Sequence, residues 1–471
     1  MVGGGDPPPD LAGDARCRFV VPRKNRRCGL QAASGGGGYC GIHAAEAPGG
    51  DKGGEGQGRH ARGRRVPCPV DPSHTVLASK LAKHVLKCPK KTEVRRLEQA
   101  SFFRADCNLP PEGRTASGAA ASTRAVRERM EAMLGPEFEA LLARVSAAAA
   151  RIGAADGSTF CRETPSQLQP WLCSLEWLQS ESRVQEPRHA VQRVSICGHV
   201  GKLFGLFPAA GEEEGAAKRH CGGFDDVSVV ELGAGRGYVG AMLAEAGGLG
   251  HCVLNDVRSY RHKADRVLRK TGAARVDRAT CDLKDFCLSE MDTLQGRRCV
   301  VLGKHLCGGA TDLALRCVAA CRPYDSSGSR LPGEAGAGVG PGVPEGGGQP
   351  PRILALGVAT CCHHRCSPST YVGAEVLREN GFSERDLENV FWLSSWATLK
   401  GGGHGAPEPP GRDDLYFSSL SLQRKVDTGR QCKQLLDAGR LEWLRRRGFS
   451  VKGVRYVDPE VTPENFLLLA H

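Results

Sequence analysis

The stretch Val229-Val230-Glu231-Leu232-Gly233-Ala234-Gly235-Arg236-Gly237 decides the fold. Its first half is a β-branched run, its second supplies three glycines, and an amphipathic helical pattern starts near Tyr238. A strand that turns sharply into a helix needs backbone conformations that glycine reaches at little cost, and it exposes N–H groups to which a ligand can come close. Outward from this unit, short β-branched runs alternate with helical patterns at His251–Asn255, Arg275–Cys281, Cys299–Leu302, Arg352–Ala359, Val451–Tyr456 and Asn465–Ala470. With Val227–Leu232 as the first strand, this order predicts an α/β fold with a doubly wound sheet.

A dinucleotide fingerprint requires glycine at 233, 235 and 238, and position 238 is tyrosine. The pattern is instead E-x-G-x-G-x-G, which resembles the first motif of class I (Rossmann-like) methyltransferases. That resemblance implies S-adenosylmethionine, a donor with no pyrophosphate and a cationic sulfonium. Asp256 closes the second predicted strand about 20 residues on, where a carboxylate can accept both ribose hydroxyls. Asp282 follows the third strand, placed to receive the adenine amino group. Glu231, Gly233, Gly235, Gly237, Asp256 and Asp282 are therefore the candidate donor-binding residues.

The fourth strand runs into Gly303-Lys304-His305-Leu306-Cys307-Gly308 and the fifth into Cys361-Cys362-His363-His364-Arg365-Cys366. Both lie at carboxyl ends of strands, where open α/β sheets place ligands. Methyl transfer to a hydroxyl needs the proton to leave as oxygen attacks in line, so a nearby base or cation helps. Lys304, His305, His363 and His364 are the catalytic candidates. Neighbouring residues of an extended chain point to opposite sides, so these consecutive ligands cannot all bind one ion; the alternating set Cys362, His364 and Cys366 stays open as a third site but is not among the expected ones. Cys252, Cys299 and Cys317 sit in apolar runs and read as core packing.

Two Cys/His blocks precede the sheet. Cys17, Cys28, Cys40 and His43 give C-x10-C-x11-C-x2-H, three thiolates and an imidazole suited to a closed tetrahedral zinc site. Around them only Phe19, Val20, Leu30 and Tyr39 could form a core, and structural zinc is worth on the order of 10–16 kcal/mol, enough to decide folding. Cys68, His74, His84 and Cys88 give C-x5-H-x9-H-x3-C, and the H-x3-C spacing puts His84 and Cys88 one helical turn apart, with Pro89 stopping the helix. That helix carries Lys80, Lys83, Lys87, Lys90 and Lys91, which suit phosphate contacts or a solvated face. Two structural zinc ions are expected.

Composition agrees with a modular chain. Of 471 residues, 62 are glycine and 28 proline, so part of the length is linker, which excludes a compact single domain and collagen alike. The net charge is +12, and residues 1–110 hold 19 lysines and arginines against 10 acids, so the front end faces polyanions or solvent. An odd count of 21 cysteines favours reduced thiols and metal ligands, hence cytoplasm or nucleus. No run of 18 apolar residues occurs, and neither a secretory signal nor a membrane partner is expected. The expected organisation is a CCCH-type finger at 14–46, a CHHC-type finger at 65–92, a helical connector at 93–180 with a break at Gly135-Pro136, and the α/β domain at 181–471, interrupted by disordered insertions near 323–351 and 401–411.

Taken together, these residues resemble the eukaryotic tRNA 2′-O-methyltransferases that act on nucleotide four of the acceptor stem. The likeness rests on both fingers, the glycine motif, Arg188-His189 with Gln192 and Ser195-Ile196, Arg261-His262-Lys263-Ala264-Asp265, Lys304-His305-Leu306-Cys307-Gly308 and Cys361-Cys362-His363-His364. It continues through Ser395-Trp396-Ala397, Gly429-Arg430 with Lys433, Asp437-Ala438-Gly439-Arg440 and Glu464-Asn465. Departures are expanded glycine-rich linkers, Asn255-Asp256-Val257 in place of an apolar residue, Asp and Arg, and Arg188 in place of Lys. The resemblance implies ribose methylation, with zinc fingers helping to hold tRNA and no DNA partner. Two alternatives stay open: an RNA-processing factor whose sheet has lost chemistry, and a methyltransferase whose acceptor is a protein or small molecule. Oligomeric state is not legible in the sequence.

Overall fold

A computed structural model describes residues 17, 20–21, 26–27, 39, 65–72, 74–110, 122–152, 168, 187–207, 224–260, 264–272, 274–321, 349–399 and 419–471. Cys28, Cys40, His43, Arg261-His262-Lys263, the Gly401–Gly411 insertion and the Pro323–Gly348 part of the other insertion lie outside the described residues, as do 111–121 and most of 153–180. The chain divides into two compact units, residues 1–91 and 92–471.

In the first unit β1 (Val20–Val21) pairs antiparallel with β2 (Arg26–Arg27), and β3 (Arg65–Pro67) with β4 (Thr75–Leu77). Helix α1 (Leu81–Lys87) follows, with Cys88 as its extended C-cap. Pro89 ends this helix as expected and also opens the next, α2 (Pro89–Glu98). A proline in the first turn gives up an N–H that would have no helical partner there anyway.

The second unit is α/β around a mostly parallel sheet. Its elements in order are α3 (Thr123–Glu131), α4 (Gly135–Ile152), α5 (Pro187–Leu203), β5 (Val227–Leu232), α6 (Tyr238–Ala246), β6 (His251–Asp256), α7 (Asp265–Thr271), β7 (Arg275–Thr280), β8 (Arg298–Cys307) and α8 (Gly309–Ala319). Then come β9 (Arg352–Cys361), α9 (Ala374–Glu379), α10 (Glu384–Ser394), α11 (Leu422–Arg445), β10 (Val451–Arg455) and β11 (Phe466–Ala470). The seven strands stand in the order β10-β11-β9-β8-β5-β6-β7. Strands β5 to β9 are parallel, and β11 runs antiparallel to both its neighbours.

Both faces of the sheet are covered, which explains the nearly unbroken apolar strands. In β5, Val227 and Val229 join the core with α5 and α6, while Val230 and Leu232 join the core with α8 and α11. Cys252, Cys299 and Cys317 are buried as expected. The chain leaves β5 toward β6 and β7 on one side and returns to β8 and β9 on the other. This reversal opens a crevice at the carboxyl ends of β5 and β8.

Two elements differ from the sequence expectation. The stretch expected as a connector breaks before Gly135, as anticipated, but α3 and α4 also build a third apolar core: Met130, Phe138, Leu141 and Val145 pack with Phe382, Leu387, Trp396 and Leu435. Strand β8, expected to end at Leu302, continues to Cys307 because its ladder with β9 resumes beyond a bulge: Lys304 pairs with Ala359 and Leu306 with Thr360, leaving His305 as the extra residue. Its φ of +64° is left-handed backbone.

Candidate functional site

The glycine turn is the first part of the site. Gly233, Gly235 and Gly237 have φ of +63°, +54° and +84°, a region where a side chain is strained. A Cβ on Gly233 would lie 2.5 Å from Leu306 Cδ2 and one on Gly237 2.6 Å from Leu254 Cδ1, whereas at Gly235 the nearest atom is Tyr260 Cζ at 4.0 Å. The outer glycines admit packing; the middle one faces open space. Arg278 on β7 holds the turn from below, its Nη1 donating to Gly235 O and its Nη2 to Arg236 O, each at 3.0 Å. Tyr238, where a dinucleotide motif has glycine, lies under the Arg193 guanidinium of α5 at 4.5 Å.

Carboxylates close the turn. Asp256 Oδ2 accepts from Gly235 N at 2.8 Å and Oδ1 from Arg258 N at 2.9 Å, which leaves lone pairs on both oxygens for further donors. Glu231 is buried, and its Oε2 accepts from Gly240 N at 2.7 Å. Burial pushes its carboxyl up to about 7, against the pull of the Gly240 N–H and of Arg193, Arg278 and Lys304. Asp282 Oδ1 accepts from Lys284 N at 3.0 Å. All three acids line one cavity of about 590 Å³ together with Gly235. That volume falls within the roughly 300–1,000 Å³ of small-molecule sites.

Asn255, also on the cavity wall, donates Nδ2 to Ala279 O at 3.2 Å and Cys281 O at 3.0 Å, tying β6 to β7. Its Oδ1 is buried without a partner among the described residues. An orphaned acceptor, lone pairs on Asp256 and an open face at Gly235 fit a nucleoside with hydroxyl and amino donors. Of the six expected donor residues, Glu231, Gly233, Gly235, Asp256 and Asp282 line the cavity, and Gly237 caps α6.

Among the four catalytic candidates, the structure brings two to the cavity. Lys304, at the end of β8, is buried except where it lines this cavity and a second one of about 150 Å³. His305 lines both as well, and its Nε2 lies 2.8 Å from Lys304 Nζ. Partial desolvation, with Lys304, His189 and Arg193 nearby, pushes the His305 imidazole down to about 4. Near neutral pH it is therefore uncharged and accepts from the lysine. His363 and His364 line neither cavity.

His363 is buried, its Nε2 2.9 Å from Asp437 Oδ1. Asp437 also takes Thr360 Oγ1 at 3.1 Å and Arg440 Nη1 at 3.0 Å, and Arg440 forks onto Asp312 at 3.1 and 2.9 Å. Burial alone would raise the Asp437 carboxyl; His363 and Arg440 outweigh it and hold the group below the usual carboxylate range. This network ties β9 and α8 to α11, a structural setting for His363. The sequence marked Asp437 to Arg440 as a conspicuous string without indicating this pairing, because its partners lie 74 and 128 positions away.

The cysteines regroup. Cys366 Sγ sits 3.2 Å from Arg440 Nη2 and belongs to that network, so the set Cys362, His364 and Cys366 does not gather. Instead Cys307, Cys361 and Cys362 meet. The expectation that consecutive cysteines diverge fails because Cys362 leaves the extended conformation, at φ +50° and ψ +43°.

In the first unit the CHHC set comes together as spaced: Cys68 Sγ and Cys88 Sγ are 3.9 Å apart, Cys88 Sγ and His74 Nε2 3.8 Å, and His74 Nε2 and His84 Nε2 3.0 Å. The β3–β4 hairpin contributes Cys68 and His74, and α1 with its cap contributes His84 and Cys88. Two thiols and two imidazoles converging at these separations fit a tetrahedral zinc ion. Of the CCCH set, only Cys17 is among the described residues, and it is buried. Lys80, Lys83 and Lys87 are exposed on or beside α1.

Comparison with known proteins follows this division. A family described as "Methyltransferase TRM13" matches residues 211–471, a U11-48K-like CHHC zinc finger matches 65–89, and a CCCH zinc finger in TRM13 protein matches 15–44. The tRNA:m(4)X modification enzyme TRM13 homolog of Mus musculus is 28% identical, over 97% of this chain and 94% of the relative. The TRM13 enzyme of Yarrowia lipolytica is 25% identical, over 97% and 90%. That of Oryza sativa subsp. japonica is 33% identical, over 53% of this chain and 91% of the relative. No solved structure matches.

Proposed function

The chain belongs to the TRM13 methyltransferase family and carries CCCH and CHHC zinc fingers, and from that premise we propose that it methylates the ribose 2′-hydroxyl of the fourth nucleotide in the acceptor stem of tRNA. The donor is S-adenosylmethionine, which when bound supplies an electrophilic methyl group on a sulfonium. The observation that carries this reading is the juxtaposition, at one crevice, of a nucleoside-sized cavity over the glycine turn and the Lys304–His305 pair at its edge. The strand order, with β11 reversed beside β9, supports a class I methyltransferase sheet.

Asp256 takes the donor ribose hydroxyls, Asp282 and the Asn255 carbonyl oxygen face its base, and Gly235 gives it room. Lys304 and His305 are the only lysine and histidine lining either cavity among the described residues. His305 accepts a hydrogen bond from Lys304 and so aims the ammonium, whose positive charge stabilises the charge that builds on the acceptor oxygen as its proton passes to solvent. An A-form stem displays its 2′-hydroxyls in a shallow minor groove, so recognition rests on shape and phosphate, and the exposed lysines of α1 suit the phosphate part. Action in cytoplasm or nucleus is part of this proposal; no helix among the described residues is long and apolar enough to cross a membrane.

The test incubates the purified chain with methyl-labelled donor and unmodified total tRNA, then digests the product. Label is expected in one alkali-resistant dinucleotide, because a methylated 2′-oxygen cannot attack the neighbouring phosphodiester. Label on a base or on protein overturns ribose methylation, and absence of label with retained tRNA binding favours a processing factor.

A further inference from the structure

Three thiols that methyl transfer does not use meet where β8 and β9 end. One sulfur each from Cys307, Cys361 and Cys362 lies within 4.8 Å of the other two, and Cys307 Sγ is 3.5 Å from Cys361 Sγ. Two uncommon backbone conformations bring them there. The left-handed Cys362 folds its side chain back toward that of its neighbour, where an extended chain would send it to the opposite side. Gly308, at φ +59° and ψ −127°, lets β8 pass against the following turn: a Cβ there would stand 2.8 Å from the Arg365 carbonyl carbon, and Gly308 N donates to Cys361 O at 3.3 Å.

The separations suit an ion better than a bond. A disulfide joins two sulfurs at about 2.05 Å and leaves the third without a role. Thiolates on one tetrahedral zinc, at about 2.3 Å from the metal, stand roughly 3.8 Å apart. The CHHC finger supplies an internal scale, with its two sulfurs 3.9 Å apart. Arg365 acts electrostatically on Cys307 and offsets part of the negative charge that three thiolates and the nearby Glu464 place around a dication.

We propose that Cys307, Cys361 and Cys362 bind a zinc ion separate from the two fingers, with its fourth position open to the cavity of about 150 Å³ that these cysteines share with Lys304 and His305. Among the described residues no imidazole or carboxylate lies within 4.8 Å of all three sulfurs, and Glu464 on the wall of the same cavity is paired with Lys433 at 2.6 Å, so water or a substrate oxygen completes the set. Soft thiolate donors select zinc over magnesium or calcium. The ion fastens the ends of β8 and β9 just past the bulge and thereby fixes where Lys304 points. The metal site does not depend on the identity of the methyl acceptor.

Elemental analysis of the full chain tests this. Cys362→Ser should contain one zinc equivalent fewer than the parent, Cys88→Ala likewise, and the double variant two fewer; an unchanged content in folded Cys362→Ser overturns the proposal. Where that variant does not fold, alkylation of the parent chain read by mass spectrometry decides. Cys307 and Cys362 should resist alkylation until a chelator is added. Equal alkylation with and without chelator, or a Cys307–Cys361 disulfide that opens only on reduction, contradicts a metal site.

Discussion

The two halves of the sheet's carboxyl edge are built by different means. On the β5–β6–β7 side the backbone bends at glycines, and the groups that define the cavity, Gly235, Asp256 and Asp282, lie at successive strand ends within 48 positions. On the β8–β9 side the backbone bends at His305 and Cys362, which are not glycines, as well as at Gly308, and side chains from α8 and α11 hold the end of β9 through the Arg440 network. The first half is specified locally and is suited to bind; the second is specified at a distance and is suited to aim a reactive group. Strain that an ordinary residue carries at positive φ persists only where the surroundings overdetermine it.

The sharpest way to break this contrast is Gly235→Arg. The added side chain points into the open face of the turn, so donor binding measured by calorimetry should weaken by at least about 100-fold and methyl transfer should vanish. The fold survives, because the strain of a side chain at this φ costs only about 1–2 kcal/mol. Donor binding that persists in this variant would place the cavity's function elsewhere.

Arg440→Met probes the opposite half. It leaves Asp312 and Asp437 as buried carboxylates without their guanidinium, which should lower stability in denaturant unfolding by about 3–5 kcal/mol. Within the folded population, turnover should suffer more than donor affinity. Equal loss of both would mean that the two halves are not separable.

Lys304→Met should reduce turnover roughly 100- to 1,000-fold while donor affinity changes only a few-fold, as expected for a group that acts on the developing oxyanion. Single-turnover assays at saturating donor measure the first and calorimetry the second. A variant with normal turnover removes Lys304 from the reaction.

The smallest effect concerns Glu231. Its carboxyl, raised to about 7 by burial, is mostly protonated at pH 6 and mostly ionised at pH 8. The ionised form favours a cation in the cavity, so the ratio of S-adenosylmethionine affinity to that of its neutral-sulfur product should rise about threefold to tenfold over this interval. Glu231→Gln should flatten the dependence, and a ratio that falls with pH would have the wrong sign.

What the sequence made legible follows the same division. Strands β5 to β7 are legible to within a residue at each end, and the glycine turn with Asp256 and Asp282 is legible as a candidate binding set, because each signal is local: periodicity, a turn composition, an acid after a strand. The CHHC set was legible for the same reason, since chelate spacing lies within 21 residues. The β8 extension, the displacement of His363 into a buried network and the meeting of Cys307 with Cys361 were not. Each depends on a pairing across 54 or more positions, and none leaves a periodic trace in the chain. Tyr238 stands between the two cases: its identity ruled out a dinucleotide motif, but only the fold shows Arg193 stacked upon it.

The most direct test is isothermal calorimetry of the zinc-loaded full chain with S-adenosylmethionine and, separately, with its demethylated product. Both should bind one per chain, and Asp256→Ala should weaken both about 10- to 100-fold through the loss of charge-assisted hydrogen bonds to the ribose. Correctly folded protein that takes up neither compound, or an Asp256→Ala variant that binds them as tightly as the parent, would contradict the account.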